Sequence, residues 1–295
     1  MASYSAITII YNPVSTGPGA TMSKELEEQL STALPKTTIT RVKTGHPGHA
    51  EDIAYRAAGA SKRPLIISVS GDGGYHEVIN GLMKAQQKGA QPAAGLLPGG
   101  NANDHYRTLH EGDVVARIAA GDEKHIDLLK IVTTVDGKSF TRYGHSYIGI
   151  GLTPKAGNEL NKTKLNTIKE LWIVTHSILT LSPIGIVVKG KKQAYDSVIF
   201  SNIDSMSKVM TLSKHAEIHD GKFEVTAFRK RNKLNLLKLL LKASTTGLRG
   251  TTHTEKFVFT TTRPLLVQID GEIVTVDAAA EVTITSEHRV LRCII

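Results

Sequence analysis

The sequence predicts an α/β amino-terminal domain, with a parallel sheet and helices on both faces, followed by a mostly antiparallel β domain. Three observations carry this. Over residues 1–122, short β-branched runs alternate with segments of helical periodicity. From about residue 123 strand-like runs dominate, separated by turn pairs such as Asp136-Gly137 and Asp220-Gly221. The chain has 295 residues, 40% hydrophobic and 21% charged, enough for two packed domains.

Residues 7–11 read as the first strand. Residues 21–34 read as a helix, with Met22, Leu26, Leu30 and Leu34 at helical spacing. Strand 37–42, helix 48–60, strand 65–70, helix 75–87 and strand 93–97 continue the alternation, which implies a parallel sheet. Helical pieces at 103–109 and 114–119 close the domain, residues 1–122. In the second domain, residues 123–295, strands are expected at 126–135, 140–150, 184–188, 195–203, 223–228, 257–262 and 265–269. Helices are expected at 161–181 and 232–243. A last strand, 282–295, packs on the second domain or returns to the first.

The net charge is +9, with an isoelectric point near 9.5, which favours an anionic partner such as a nucleotide, nucleic acid or acidic membrane. Aromatic residues are only 5% and do not interleave with basic clusters, unlike base-stacking nucleic-acid readers, so nucleic acid is not expected. The single cysteine, Cys293, lies in an apolar run and reads as a buried strand residue; it suits a reducing cytoplasm. No apolar run of about 18 residues occurs, so no transmembrane helix is expected, and residues 1–11 read as a first strand, not as a signal peptide. Leucines at 234, 236, 237 and 239–241, flanked by Arg229, Lys230, Arg231 and Lys233, describe either a core helix with snorkelling lysines or one that lies on an anionic membrane.

Three loops follow strands of the first domain, and ligands of such sheets bind beyond the carboxyl ends of the strands. The first is Asn12-Pro13-Val14-Ser15-Thr16-Gly17. The second is Ser70-Gly71-Asp72-Gly73-Gly74-Tyr75-His76-Glu77-Val78. Its glycines are expected to adopt positive φ and bring backbone close to a ligand, with the next helix start offering N–H groups to phosphate. Asp72 suits a nearby metal ion or phosphoryl acceptor, or else simply caps the helix. The third is Pro98-Gly99-Gly100-Asn101-Ala102-Asn103-Asp104. A P-loop, a dinucleotide fingerprint and protein-kinase signatures are absent. His46 and His49 lack the partners a zinc site needs.

In this order and spacing the loops resemble the diacylglycerol kinase catalytic-domain family, whose members include bacterial soluble lipid kinases, sphingosine kinases and ceramide kinases. The resembling residues are Asn12-Pro13-Val14-Ser15, Gly71-Asp72-Gly73, Glu77-Val78, Pro98-x-Gly100, Asn103-Asp104 and the late Asp270-Gly271-Glu272. The resemblance implies a cytoplasmic, membrane-associated, ATP- and Mg²⁺-dependent lipid kinase with its nucleotide in a cleft between two domains. ATP would meet Asn12, Pro13, Val14, Ser15, Thr16, Thr44, Ser70, Gly71, Gly73, Gly74, Tyr75, His76, Glu77, Gly100 and Asn101. Asp72 would act near the phosphates and Mg²⁺, with Asp104 and Asp127 in a metal–water network. Glu272 would be the general base that deprotonates the lipid hydroxyl. A structural metal would sit at Asp220 with Glu217 and the Lys222 carbonyl. Asp-Gly pairs at 270 and 220 equally make hairpin turns.

Several departures stand out, among them Tyr143-Gly144-His145 where many members have an asparagine after an aromatic. Ser70 replaces the family's first glycine, Gly74 its threonine, His76 its asparagine, and Asn101 the threonine of the third loop. The second loop is thereby closer to the sphingosine kinase version, and a sphingoid base joins a diacylglycerol-like lipid as acceptor. Two rivals remain: a NAD kinase, whose downstream N-E-x-x-x-D stretch is not found, and a catalytically silent lipid- or nucleotide-binding protein. The partners expected are a lipid substrate and an anionic membrane surface, held less tightly as salt rises. Antiparallel edge strands leave room for a homodimer.

Overall fold

The computed structural model describes residues 4–15, 17–110, 112–155, 176–177, 180–206, 210–211, 216–230, 232 and 251–295. Contacts divide the chain into two compact units, Met1–Asp127 with Arg289–Ile295, and Leu128–His288.

In the first unit β1 (Ala6–Tyr11), β2 (Thr38–Lys43), β3 (Pro64–Ser70) and β4 (Ala93–Pro98) form a parallel sheet in the order β2-β1-β3-β4. The crossovers are α1 (Gly19–Ala33), α2 (His49–Gly59) and α3 (Asp72–Gln86); α4 (Asp104–Leu109) and α5 (Val114–Ala120) follow β4. Every residue of β3 is buried, so it reads as a continuous apolar run where a half-exposed strand would alternate. Helix α1 buries Ser23, Leu26 and Leu30, one stripe at helical spacing, and its leucines join Ile7, Ile9, Leu65, Ile67 and Val69 in the core. Because β1, β3 and β4 are parallel neighbours, the loops that follow them emerge side by side.

The second unit takes in most of β5 (Lys124–Val135), then β6 (Lys138–Gly144), β7 (Tyr147–Gly151), β8 (Ile184–Val188), β9 (Lys191–Ser201), β10 (Ser205–Met206), β11 (Met210–Thr211), β12 (Phe223–Arg229), β13 (Thr252–Thr254), β14 (Lys256–Thr261), β15 (Leu265–Ile269) and β16 (Glu272–Val276). Their order is β16-β15-β7-β9-β8-β14, with β12 also on β9 and β13 on β12. All these ladders are antiparallel. Three two-residue hairpins, Asp136-Gly137, Lys189-Gly190 and Asp270-Gly271, have positive φ at both positions, the turn whose twist matches paired strands. The last strand, β17 (Glu281–Ile294), serves both units. Residues 281–285 pair with β14, and Arg292–Ile294 run parallel to β4. Cys293, on that end, is fully buried with its Sγ 3.6 Å from the Tyr75 hydroxyl; burial pushes its thiol up to about 12, which keeps it unreactive.

The structure corrects several sequence expectations. The single strand expected at 140–150 is two, β6 and β7, broken at His145-Ser146 by a buried carboxylate described below. Strand β9 begins at Lys191, not at residue 195, and β16 lies within the segment after the late Asp-Gly. Helix α3 begins at Asp72, so the glycine turn is itself the first helical turn. Most of the expected helix 161–181, and all but Asn232 of helix 232–243, lie outside the described residues. Among the described residues no helix is long and apolar enough to cross a membrane.

Candidate active site

The loops after β1, β3 and β4 interlock through backbone. Gly99 N donates to Ser70 O (3.0 Å), and the Ser15 hydroxyl donates to Gly99 O. The glycines permit close approach, not the expected positive φ: Gly71 is extended (φ −83°, ψ −177°), and Gly73 and Gly74 are helical. A Cβ on Gly100 would lie 2.3 Å from Gly71 Cα, and one on Gly17 2.6 Å from Gly99 O, so side chains there would wedge the loops apart. Asn103 completes the junction in the left-handed region (φ 51°), accepting from Gly100 N and donating to Gly100 O. The sequence placed Gly17 in the first loop and Asn103 among the residues that carry the resemblance, but assigned neither a role in bracing the loops; a helix-start asparagine offers no sign that it will hold the preceding loop.

The remaining residues expected at the nucleotide fall around this junction. Asn12 accepts from Val14 N (3.0 Å), closing the first loop. Pro13 is exposed and Val14, 85% exposed, projects from the surface, a large apolar side chain left uncovered. Thr16 lies outside the described residues. Thr44 follows β2 and donates its N–H to Tyr11 O (2.9 Å), and Asn101 is exposed beside Gly100. Tyr75 and His76 turn their side chains inward, Tyr75 toward Cys293 and His76 beside Asn80, so what they can offer a ligand is backbone.

Two acidic residues of α3 are committed to neighbouring helices. The Asp72 carboxylate accepts from Asp104 N and His105 N, both 3.2 Å, at the start of α4. Helix α4 needs this, because its own cap, Asn103, makes no side-chain cap bond. Glu77 accepts from Gly48 N (2.9 Å) and Ala50 N (3.1 Å), doing the same for α2. Asp72 thus caps a helix, but one supplied by another loop, which ties the second and third loops together. Asp104 is buried and its carboxylate takes Arg107 (2.7 Å). Asp127, fully buried, accepts from Arg289 N (2.6 Å), fastening the returning end of β17 to β5.

Ser70 and Gly74, two of the departures in the second loop, are coupled. A Cβ on Gly74 would stand 2.5 Å from Ser70 Oγ and 2.7 Å from Ser70 Cβ. The side chain that the family pattern carries at 74 is replaced here by one at 70, whose hydroxyl meets Ser68 Oγ at 2.7 Å. Gly74→Thr should therefore cost about 1–3 kcal/mol by overpacking. In a Ser70→Gly background most of that cost should vanish, measured as non-additive urea midpoints; additive costs would refute the coupling.

In the second unit Glu272 opens β16, directly after the Asp270-Gly271 turn, and its carboxylate pairs with Arg142 Nε of β6 at 3.1 Å. Both side chains are largely buried, at 30% and 21% exposure, so the carboxylate is held in place yet open to solvent. Asp270 is buried. Its Oδ1 accepts from Ser146 N (3.0 Å) and Tyr147 N (2.9 Å), its Oδ2 from His145 N (2.6 Å). The His145 ring lies 3.5 Å from the same oxygen and bonds Ser146 Oγ (2.8 Å). This carboxylate turns the three N–H groups away from a strand partner, which is why one expected strand became two. The Asp-Gly pair is thus a hairpin turn, as a common turn pair should be, and also the latch that sets Glu272. Nothing in the sequence singles out Arg142 or pairs it with residue 272.

At the expected structural-metal position, Lys222 N donates to Asp220 Oδ1 (2.8 Å), a local turn that supplies no cage, and Glu217 is exposed. Nearby Glu224 on β12 is 3% exposed, with His253 at 3.5 Å. Burial, and then the charges of Asp220 and Asp204, raise its carboxyl to about 7. A raised carboxyl keeps its proton longer in the folded chain, so its contribution to stability is full below about pH 4.5 and is lost as pH rises through about 7. The loss is at most about 3 kcal/mol. Thermal midpoints of the Glu224→Gln variant should stay flat across that window while those of the parent fall; parallel curves would refute it.

The first unit's junction fits a phosphate chain. Helices α1 and α3 both start behind these loops without a side-chain cap, leaving N–H groups to a ligand. Among the described residues no three His, Cys, Asp or Glu side chains converge as a metal cage. The neighbouring Asp72 and Asp104 fit Mg²⁺ in the way that ion is usually held, by one or two carboxylates with phosphate and water.

Comparison with known proteins agrees with this geometry. Residues 6–131 match the family model of the diacylglycerol kinase catalytic domain. The chain is 27% identical over 266 residues to a diacylglycerol kinase of Staphylococcus epidermidis, covering 80% of this chain and 74% of that one. It is 25% identical over 265 residues to one from Staphylococcus aureus, at 80% and 74% coverage. A solved structure of a diacylglycerol kinase from Bacillus anthracis shares the fold, with a TM-score of 0.72 at 18% identity over 100% of this chain and 98% of that one. By class, the matched domain and the curated relatives are lipid kinases. The match to the diacylglycerol kinase catalytic domain runs over residues 6–131, and over that stretch the chain is similar to that family.

Proposed function

We propose that the chain transfers the γ-phosphate of ATP to the hydroxyl of a diacylglycerol-like lipid. The observation that carries this is the interlock of the three loops behind β1, β3 and β4, with backbone donors and Asp72 gathered at one junction. Phosphoryl transfer needs positioning and charge neutralisation more than covalent help, and small loops braced against each other supply positioning. In this reading the backbone of Ser15, Gly71 and Gly100 and the starts of α1 and α3 hold the phosphates. Asp72 and Asp104 orient at the phosphate end, where Mg²⁺, when bound, would neutralise charge. Glu272, steadied by Arg142, receives the proton of the lipid hydroxyl.

A sphingoid base is the second reading for the acceptor, favoured by the coupled Ser70–Gly74 exchange, which preserves the turn in a form like the sphingosine kinase version. The positive charge supports action at an anionic membrane surface. The test is transfer of label from ATP to mixed micelles holding diacylglycerol or sphingosine, with Mg²⁺. Label in one lipid and not the other decides the acceptor; no label in either, with ATP still bound, would sink the kinase reading in favour of a silent binder.

A further inference from the structure

Two segments of the second unit meet at one strand and share a charge. The β8–β9 hairpin presents Lys189, Lys191 and Lys192, and the end of β12 presents Arg229 and Lys230. Register brings them together: Val188 faces Lys191 across the hairpin, Arg229 faces Tyr195, and Lys230 N donates to Ala194 O (3.2 Å). All five cations are exposed, and Lys191, Lys192 and Arg229 line an open groove of about 380 Å³. Elsewhere in this unit Lys130 and Arg142 have carboxylate partners; these five have none among the described residues. The sequence supplies none nearby either. No Asp or Glu occurs between Glu170 and Asp196, which is itself buried, nor between Glu224 and Glu255.

We propose that this hairpin and the adjoining end of β12 form the surface with which the second unit binds an anionic phospholipid bilayer. The inference rests on the lipid-kinase reading, which requires the enzyme to reach a substrate held in a membrane. Charge complementarity selects the partner: unpaired lysines on a rigid hairpin act as point charges toward a plane of anionic headgroups. Nucleic acid is the poorer fit, because the aromatic residue of the groove, Tyr195, is buried with its hydroxyl on Gln193, leaving no ring for a base to stack on.

The experiment is sedimentation of the full chain, at low salt, with vesicles of equal parts phosphatidylcholine and phosphatidylglycerol, and with phosphatidylcholine alone. One variant carries Lys189→Gln, Lys191→Gln and Lys192→Gln. A second, with the same change in net charge, carries Arg56→Gln, Lys62→Gln and Lys88→Gln, which line a separate groove of the first unit. Each cation near an anionic surface contributes roughly fivefold, so the hairpin variant should bind anionic vesicles about 100-fold more weakly and with a shallower salt dependence. The matched variant should bind as the parent does. Equal weakening in both variants would reduce the effect to net charge and overturn the proposal, as would unchanged binding in the hairpin variant. Loss of poly(U) RNA binding with vesicle binding intact would overturn it in favour of a nucleic acid. Transfer to diacylglycerol in neutral detergent micelles, measured in parallel, should be the same for parent and hairpin variant. If the parent labels no lipid there, the kinase reading fails while the vesicle comparison still decides the surface.

Discussion

Glu272→Gln is expected to lower kcat for lipid phosphorylation by about 10²–10⁴-fold, the range a general base contributes. The fold should survive, because the side chain is partly exposed and its partner, Arg142, keeps a neutral oxygen to bond. KM for ATP should change little, since the residue lies in the second unit, outside the loops proposed to hold the phosphates. The acid limb of the kcat/KM profile that a carboxylate base imposes should disappear in the variant. A variant with parental kcat would remove Glu272 from the chemistry and leave it an ion-pair partner of Arg142.

Asp270→Ala should be the most damaging single change in the second unit. It leaves the N–H groups of His145, Ser146 and Tyr147 without their buried acceptor. Each buried orphan costs about 1–3 kcal/mol, and partial relaxation puts the expected loss at about 3–5 kcal/mol. Asp277 provides the comparison. Its carboxylate likewise accepts two backbone N–H groups, from Asp136 (3.1 Å) and Gly137 (3.0 Å), but at an exposed turn where water can replace it. Asp277→Ala should therefore cost under about 1 kcal/mol. Urea midpoints of the two variants should differ widely; equal midpoints would mean that Asp270 is not a latch. Asp270→Ala should also lose activity in the fraction that stays folded, because the turn it anchors carries Glu272.

The two predictions separate roles that one short motif combines. Asp270 and Glu272 are two residues apart, yet one faces backbone in the interior and the other an arginine near solvent. Alternation across a type I′ turn produces this division: Asp270 adopts the positive φ that the turn requires, and Glu272 begins the returning strand. The same economy appears in the first unit. Asp72 and Glu77, on one helix, cap two others, so the acidic residues of the second loop hold the loop region together whatever they do for a phosphate.

By itself the sequence determined what depends on local pattern. The alternation of β-branched runs and helical stripes marked the parallel sheet, since strand and helix periods are properties of neighbouring residues. Asp-Gly pairs marked two hairpin turns, because few residues accept left-handed backbone. The order of the glycine loops marked the resemblance to the family whose model residues 6–131 match. Contacts distant in the sequence were decided by tertiary structure alone. That Gly17 lies against Gly99 and Gly71 against Gly100, that Ser70 fills the space above Gly74, and that Asp270 breaks a strand 125 residues earlier, at His145, all follow from which strands become neighbours. No local period records that. Helix α3 starting at Asp72, three residues before the expected position, has the same cause. Gly73 and Gly74, which read as a loop, are helical there, and Ser70 stands where a side chain on Gly74 would. The destination of β17, left open by its composition, was settled by a sheet edge at β4 whose N–H and C=O groups required a partner.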